Sequence, residues 1–250
     1  MFSKKWRLAF RIFCSILFAL GALFTILFVA ALCIQSSITM NVEEFQKEGN
    51  YSKETMMLFA DVAFPYDRIR KWDEDIKVEI VYTDKLNESL ILEIDSIIAI
   101  LSPLIHPVKI YKVPENGNLK VYRKVDSIIE SNGKEIATRG FCYIPPLIKT
   151  LSWDIKYAEV SDIWYCNCIF HEILHAIGLQ HSLYPYPFYM NMSGTYIFDS
   201  YEEMEEKLYN PLYISEEEKL IIKMLYSPHI KSGLKKKKFL KLMNLNDYNR

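Results

Sequence analysis

The sequence has few of the residues that mark disordered, fibrous or disulfide-rich chains. Its 250 residues include 8 glycines, 10 prolines and 5 cysteines, and 50% of them are apolar. This composition excludes low-complexity and collagen-like proteins. The net charge of −1 is unevenly distributed along the chain. Residues 41–230 hold 19 basic and 30 acidic side chains, whereas both ends of the chain are basic. Such an acidic segment lacks the basic face that phosphate binding needs, so we expect no nucleic-acid partner.

The one long apolar run lies at the amino end. Ile12–Ile34 contains 23 residues without a charge and follows four basic residues. About 20 helical residues cross a bilayer, so the run predicts a single transmembrane helix. The basic flank is expected to stay in the cytoplasm, which places the rest of the chain outside it. A cleavable signal peptide is the alternative, and the protein would then be secreted.

Residues 76–177 predict alternating strands and helices. Ile76–Thr83 alternates apolar and polar residues as a half-buried strand does, and Leu86–Leu101 has the apolar spacing of an amphipathic helix. Further strands are predicted at Val108–Val113, Leu119–Val125, Glu135–Ile144 and Ile155–Val160, and a helix at Ile163–Ile177. This order predicts an α+β fold in which helices back a mixed sheet.

The remaining segments complete the predicted organisation. Helices are expected at Lys53–Ala63 and, from capping-box patterns, near 201–208 and 216–226. The lysine run Lys235–Lys238 predicts a solvated, partly disordered tail. We therefore divide the chain into an anchor or signal (1–40), a juxtamembrane segment (41–75), a catalytic domain (76–230) with a smaller, mostly irregular and helical C-terminal part, and a basic tail (231–250).

Three of the five histidines fall within eleven residues, from His171 to His181. His171 and His175 are four residues apart, so on a helix they project from one face and can bind a single Zn²⁺. His181 reaches the same ion only if the helix ends first, and Gly178 allows this because glycine readily adopts the left-handed backbone geometry of a helix end. The pattern predicts one zinc ion with three neutral ligands and an open fourth position.

Glu172 follows His171 directly and points about 100° around the helix from it. It is therefore displaced from the ligand set but close enough to reach water beside the metal. This arrangement predicts a zinc hydrolase in which Glu172 is the general base. The alternative is a helix with ordinary surface histidines, which the added Gly178 and His181 make much less frequent.

The motif His171-Glu172-x-x-His175-x-x-Gly178-x-x-His181 resembles the signature of the metzincin zinc metallopeptidases. In that clan a methionine turn lies below the metal, and Met192 is the first choice for it, with Met190 the second. Tyr196 and Tyr189 are candidates for a tyrosine that contacts the transition state. The residues from Glu216 to Leu234 also resemble the closing helix of bacterial exported metzincin-like proteins.

This resemblance implies a fold, an activity and a binding mode. The fold is a mixed twisted sheet with a backing helix and an active-site helix. The activity is that of a zinc metalloendopeptidase, and the predicted amino-terminal span would make it membrane-anchored and extracytoplasmic. Its peptide or protein substrate lies extended along an antiparallel edge strand, for which Ile155–Val160 is the candidate.

The cysteines of the predicted domain allow two disulfide pairings. In an exported domain, Cys142 is expected to form a disulfide with Cys166 or Cys168.

Two alternative functions remain open. A non-catalytic zinc-containing binding or sensor module would need a fourth protein ligand, because structural zinc sites are normally four-coordinate. A zinc hydrolase of a non-peptide amide, such as one in a cell-wall component, shares the same site chemistry and is not distinguished by sequence.

Overall fold

The computed structural model describes residues 13–26, 29, 38–81, 88–124, 128–131, 134–137, 140–147, 152–163, 168–182, 212 and 214–245. The chain forms two units, Met1–Thr39 and Met40–Arg250. In the first unit residues 13–26 are helical. Within the described part of the chain, no helix has the length and apolar character needed to span a membrane. The predicted span Ile12–Ile34 includes residues outside this description.

The second unit is built on a five-stranded mixed sheet. Its strands are β1 (Ile76–Val81), β2 (Ile110–Val113), β3 (Leu119–Lys124), β6 (Gly140–Tyr143) and β7 (Ala158–Ile163). The strand order is β2-β1-β3-β7-β6, and every neighbouring pair is parallel except β7 and β6. Between β3 and β6 in sequence, β4 (Ile128–Ser131) and β5 (Lys134–Ala137) form a separate antiparallel hairpin.

Six α-helices of the second unit are described, together with a 3-10 turn at Pro65–Asp67. The α-helices are α1 (Val42–Glu48), α2 (Lys53–Val62), α3 (Glu88–Leu101), α4 (Ile169–Ala176), α5 (Glu216–Tyr226) and α6 (Lys236–Leu242). The capping box predicted for α5 is confirmed, since Ser215 accepts from the Glu218 backbone and Glu218 accepts from the Ser215 backbone. The helix predicted near 201–208 lies outside the described residues.

The hydrophobic core follows the periodicities of the sequence. In β1 the buried side chains are the alternating Ile76, Val78 and Ile80. In α3 they recur at three- and four-residue spacing, and Ile94 and Ile97 are completely buried. Because apolar burial is the main favourable term in folding, these two patterns are sufficient to orient the sheet and its backing helix. The predicted mixed sheet backed by helices is therefore confirmed.

Two predictions about the strands near α4 are wrong. The segment Ile155–Val160 was expected to be the antiparallel edge, but β7 is an interior strand between β3 and β6, and the antiparallel edge is β6. The single strand predicted at Glu135–Ile144 is divided into β5 and β6. In addition, the helix expected from Ile163 begins only at Ile169, because β7 continues to Ile163.

The predicted solvated tail is also different in the structure. Lys236–Leu242 forms α6, and Phe239 is completely buried. Its ring packs against Phe59 of α2 at 5.2 Å and against Phe64 at 5.5 Å between ring centroids. A single buried aromatic side chain can remove a large apolar area from water. This explains why a lysine-rich segment is ordered here.

Candidate metal centre

Helix α4, which carries His171 and His175, is held by its apolar side. Ile169, Phe170, Ile173 and Leu174 are at most 1% exposed, and the helix packs on β7 and β6. Spacings of one, three and four residues place these side chains along one side of a helix. His171 and His175 are only half-buried. The packing of α4 therefore fixes the positions from which both imidazoles project.

Gly178 ends α4 in the way the sequence predicted. Its φ is +112°, and a Cβ at this position would lie 2.0 Å from the Arg70 carbonyl oxygen. The backbone amide of Gly178 donates to the His175 carbonyl and that of Leu179 to the Leu174 carbonyl, which is the Schellman pattern. Both the backbone conformation and the close approach require glycine.

Two buried side chains bind the last carbonyl groups of α4. The Trp72 indole Nε1 donates to the Ala176 carbonyl at 2.8 Å, and the Tyr226 hydroxyl donates to the Ile177 carbonyl at 3.0 Å. These carbonyls lack intrahelical partners because they lie at a helix end. The helix end is thus joined to the segment before β1 and to α5, so the turn that leads to His181 is rigidly supported.

The three histidines converge on one point. The Nε2 atoms of His171 and His181 are 2.9 Å apart, and that of His175 lies 3.1 Å from each of the others. These separations are less than twice a zinc–nitrogen bond of about 2.0–2.1 Å, so one ion can contact all three. Among the residues the structure describes, no Cys, Asp or Glu joins this cluster.

Hydrogen bonding alone cannot satisfy this triangle. A ring nitrogen is either a donor or an acceptor, so at least two of three mutually close nitrogens are of the same kind and repel each other. A cation between three lone pairs removes the repulsion. The donor set therefore fits a metal ion that prefers nitrogen ligands, such as Zn²⁺.

The surroundings of His175 and His181 favour the uncharged form that binds metal. Burial lowers the pKa of His175 to about 4, although the bond to the Leu179 carbonyl opposes part of this shift. Burial also lowers the pKa of His181. His175 Nδ1 lies 2.9 Å from the Leu179 carbonyl oxygen, which can only accept, so Nδ1 carries the proton. The lone pair is then on Nε2, which faces the other two rings.

Glu172 lies in the wall of a cleft beside the histidines. Its side chain is 8% exposed. The cleft has a volume of about 970 Å³, and Glu172, His175 and His181 contribute to its lining. The edge strand β6 forms the neighbouring wall, where a Cβ on Gly140 would lie only 2.4 Å from the Glu172 Oε1 atom. The carboxylate is therefore packed directly against this strand.

The rest of the cleft is mainly apolar. Its lining includes Phe141, Tyr143, Ile144 and Leu147 of β6 and the residues after it, together with Pro65, Tyr66 and Leu179. Apolar walls with a few placed polar groups are typical of ligand sites, because the polar groups orient the ligand and the walls exclude water. The lining of this cleft has that composition.

Several predicted site residues lie outside the described residues. These are both candidates for the methionine turn, Met192 and Met190, both candidate tyrosines, Tyr196 and Tyr189, and Cys166. Cys142 is a free thiol in the cleft wall, so the disulfide predicted from it is not formed in this structure. Burial raises the pKa of this thiol, with a further contribution from the Glu172 charge.

Sequence reasoning did not find two parts of the site. The first is the position of β6, which the sequence predicted only as part of a strand at Glu135–Ile144 and which carries no sign that it lies next to α4. The second is the Leu179 carbonyl, which fixes the tautomer of His175. A backbone acceptor has no sequence signature, although the helix end predicted at Gly178 indicates where free carbonyls occur.

No model of a known protein family matches the chain, and no curated protein matches it either. The likeness to metzincins therefore rests on the residues of the histidine motif. In the structure, the three-histidine cluster follows a mixed five-stranded sheet.

Proposed function

We propose that this chain is a zinc-dependent metalloendopeptidase. The observation that carries the proposal is the convergence of three imidazole Nε2 atoms within 3.1 Å of one another, at a cleft that also contains the Glu172 carboxylate. Three neutral ligands and an acid beside them are the group of residues that metal-assisted hydrolysis needs.

The roles of the chain's own residues follow from their positions. His171, His175 and His181 would hold the zinc ion, which would polarise a substrate carbonyl and lower the pKa of water at its open position. Glu172 accepts a proton from the attacking water and delivers it to the leaving amine. Its burial beside β6 keeps the carboxylate from swinging away into solvent, which supports efficient proton transfer.

The edge strand β6 favours an extended peptide as the substrate. β6 pairs with β7 on one side, and among the described strands it is the last of the sheet on the other side. Such an edge presents backbone donors and acceptors to which an extended chain can add as a further strand. Because β6 also lines the cleft, a peptide added there would pass the histidines and Glu172.

The limited ligand set argues against a non-catalytic zinc module. Structural zinc is normally held by four protein ligands, and within the described residues the cluster contains three. Hydrolysis of a non-peptide amide uses the same groups. Cleavage of a peptide library, compared with cleavage of cell-wall amides, would separate these two activities.

The experiment that tests the proposal is a comparison of Glu172→Gln with the wild-type chain. We expect the variant to bind one zinc ion per chain and to lose at least about a hundredfold in peptide hydrolysis, since general-base catalysis contributes about 10²–10⁴-fold. Zinc content is measured by atomic absorption and hydrolysis with a quenched fluorescent peptide library.

Glu159→Gln is the matched control. Glu159 lies on β7, a strand that packs on α4, and it is not part of the cleft lining. This variant should therefore keep both zinc and activity. Equal rates for wild type and Glu172→Gln would remove Glu172 from the mechanism. A wild-type chain without zinc would overturn the proposal as a whole.

We also propose an extracytoplasmic location for the enzyme. The support is the sequence of the first unit, where basic residues precede the uncharged run Ile12–Ile34. A segment of this kind is retained as an anchor or removed as a signal peptide, and in both cases the chain after it is exported.

A further inference from the structure

The third histidine is held differently from the other two. His171 and His175 belong to α4, whose hydrogen bonds and apolar packing fix them. His181 lies three residues beyond Gly178, outside any helix or strand. Some other contact must therefore hold this imidazole, because a loop residue that moves freely would pay a conformational entropy cost on metal binding.

The residues on both sides of His181 are bound to the end of α2. The Gln180 backbone amide donates to the Val62 carbonyl at 2.8 Å, and its Nε2 donates to the Asp61 carbonyl at 2.7 Å. On the other side, the Ser182 hydroxyl donates to the Asp61 Oδ2 atom at 2.6 Å. We call these three bonds the Asp61 clamp.

The clamp is buried and its base is rigid. Asp61 is 3% exposed and Ser182 is 1% exposed. A hydrogen bond from a hydroxyl to a carboxylate is stronger than a neutral one, and a low-dielectric site strengthens it further. Helix α2 is itself fixed by buried Leu58 and Phe59, and the Phe59 ring packs on Phe239 of α6.

We propose that Asp61 is a positioning residue for the metal site, which acts through Ser182 on His181. The inference rests on the proposed zinc site but concerns a different part of the chain. It makes α2, in the segment before the sheet, part of the metal centre. The adjoining residues Pro65 and Tyr66 line the cleft, which is consistent with this role.

The experiment measures zinc affinity in the purified full-length chain in detergent. The Kd for zinc is determined by competition with a chromophoric chelator, and the ligand set is followed through the absorption spectrum of the Co²⁺ form. Ser182→Ala and Asp61→Ala should each raise the Kd about tenfold or more, as expected for residues that orient metal ligands. Their Co²⁺ spectra should change because His181 no longer binds at full occupancy.

Two further variants separate positioning from general stability. Asp61→Asn retains an oxygen acceptor for Ser182, so its Kd should stay within about threefold of the wild-type value. Ser227→Ala removes another buried serine hydroxyl, which accepts from the His229 backbone amide at 3.1 Å. This change is comparable in size but lies outside the clamp, and it should leave the Kd and the Co²⁺ spectrum unchanged.

Two results would overturn the proposal that Asp61 positions His181. One is a Kd within twofold of wild type for folded Ser182→Ala, which decides the question even if Asp61→Ala does not fold. Another is an equal loss of affinity in Ser227→Ala, which would show that any buried defect has the same effect. Failure of the proposed function is distinct from both, since the wild-type chain itself would then bind no zinc.

Discussion

At the scale of single residues, Gly140 lies so close to the Glu172 side chain that any larger residue at position 140 would collide with it. A Cβ on Gly140 would lie 2.4 Å from Oε1, 2.9 Å from Cδ and 2.9 Å from Cγ of Glu172. The φ of Gly140 is not positive, so its backbone conformation does not require glycine. Glycine is required because a Cβ would overlap the Glu172 side chain. The edge strand therefore determines where the proposed general base can lie.

We predict that Gly140→Ala lowers kcat for peptide hydrolysis by about 10–100-fold while the zinc content stays at one per chain. The added methyl group must displace the Glu172 carboxylate, and misplacement of a catalytic group by about 1 Å can cost this much. The measurement is steady-state kinetics together with metal analysis.

Gly49→Ala provides the control for the Gly140 substitution. The three atoms nearest to its Cβ would all belong to the Tyr51 side chain, and Gly49 is not part of the cleft lining. This variant should keep wild-type kinetics. If Gly140→Ala were fully active, the contact with Glu172 would have no role in catalysis.

Some site residues could be predicted from the sequence because their geometry is local. The four-residue spacing of His171 and His175 and the helix end at Gly178 depend only on backbone geometry. Asp61 lies 121 residues before Ser182, and Gly140 lies 32 residues before Glu172. These contacts exist only after folding. Nothing in one sequence indicates which buried aspartate or glycine will reach the metal centre.

At the scale of elements, helix ends are satisfied by side chains from distant segments. Lys71 Nζ donates to the Leu225 carbonyl at 2.9 Å and to the Ser227 carbonyl at 3.0 Å, at the carboxyl end of α5. A cation at this end of a helix interacts favourably with the helix dipole. Burial nevertheless lowers the pKa of Lys71 to about 8, so its protonated form carries a desolvation cost.

We predict that the stability contribution of Lys71 increases with pH between about 8 and 10.5. In this interval the folded chain has released the Lys71 proton and the unfolded chain still holds it. Unfolding then takes up a proton, so the free energy of unfolding rises with pH. The full difference corresponds to about 3 kcal/mol, at 1.36 kcal/mol for each pKa unit.

The measurement is urea unfolding of wild type and Lys71→Met from pH 7 to 10.5. Other titrating groups affect both proteins alike, so the difference between their unfolding free energies isolates Lys71. This difference should move in favour of wild type as the pH rises. A difference that stays constant over the interval would contradict the prediction.

The elements themselves were predictable where their own residues carry the pattern. β1 and α3 show clear periods of two and about 3.6. The position of the edge strand was not predictable, because strand order depends on pairing between segments and β6 and β7 are similar short strands. Helix α6 was not predicted because its sequence is rich in lysine and Phe239 is its one buried residue, which gives no clear apolar period.

At the scale of the whole molecule, the candidate metal centre depends on elements from much of the second unit. Helix α4 supplies two histidines, the following turn supplies the third, and α2 and α5 hold the backbone around them. A site assembled in this way exists only in the folded chain. Zinc should therefore bind the native state far better than the unfolded state, and so stabilise the fold.

We predict that removal of zinc with a chelator lowers the melting temperature of the full-length chain and that added zinc restores it. Ligand binding to the native state alone stabilises it by about 2.7 kcal/mol at a free concentration of 100 times Kd. The gain should increase by about 1.4 kcal/mol for each further tenfold rise in free zinc. Scanning calorimetry in zinc buffers measures this dependence.

Two histidine variants test whether the stabilising ion binds at the cluster. His181→Ala should lose most of the response because the ion then has two of its three ligands. His106→Ala should keep it, since His106 is exposed and lies outside the cluster. Because unfolded histidines and cysteines also bind zinc, the difference between these variants matters more than either melting temperature alone. An equal response in both would mean that the stabilising ion binds somewhere other than the three histidines.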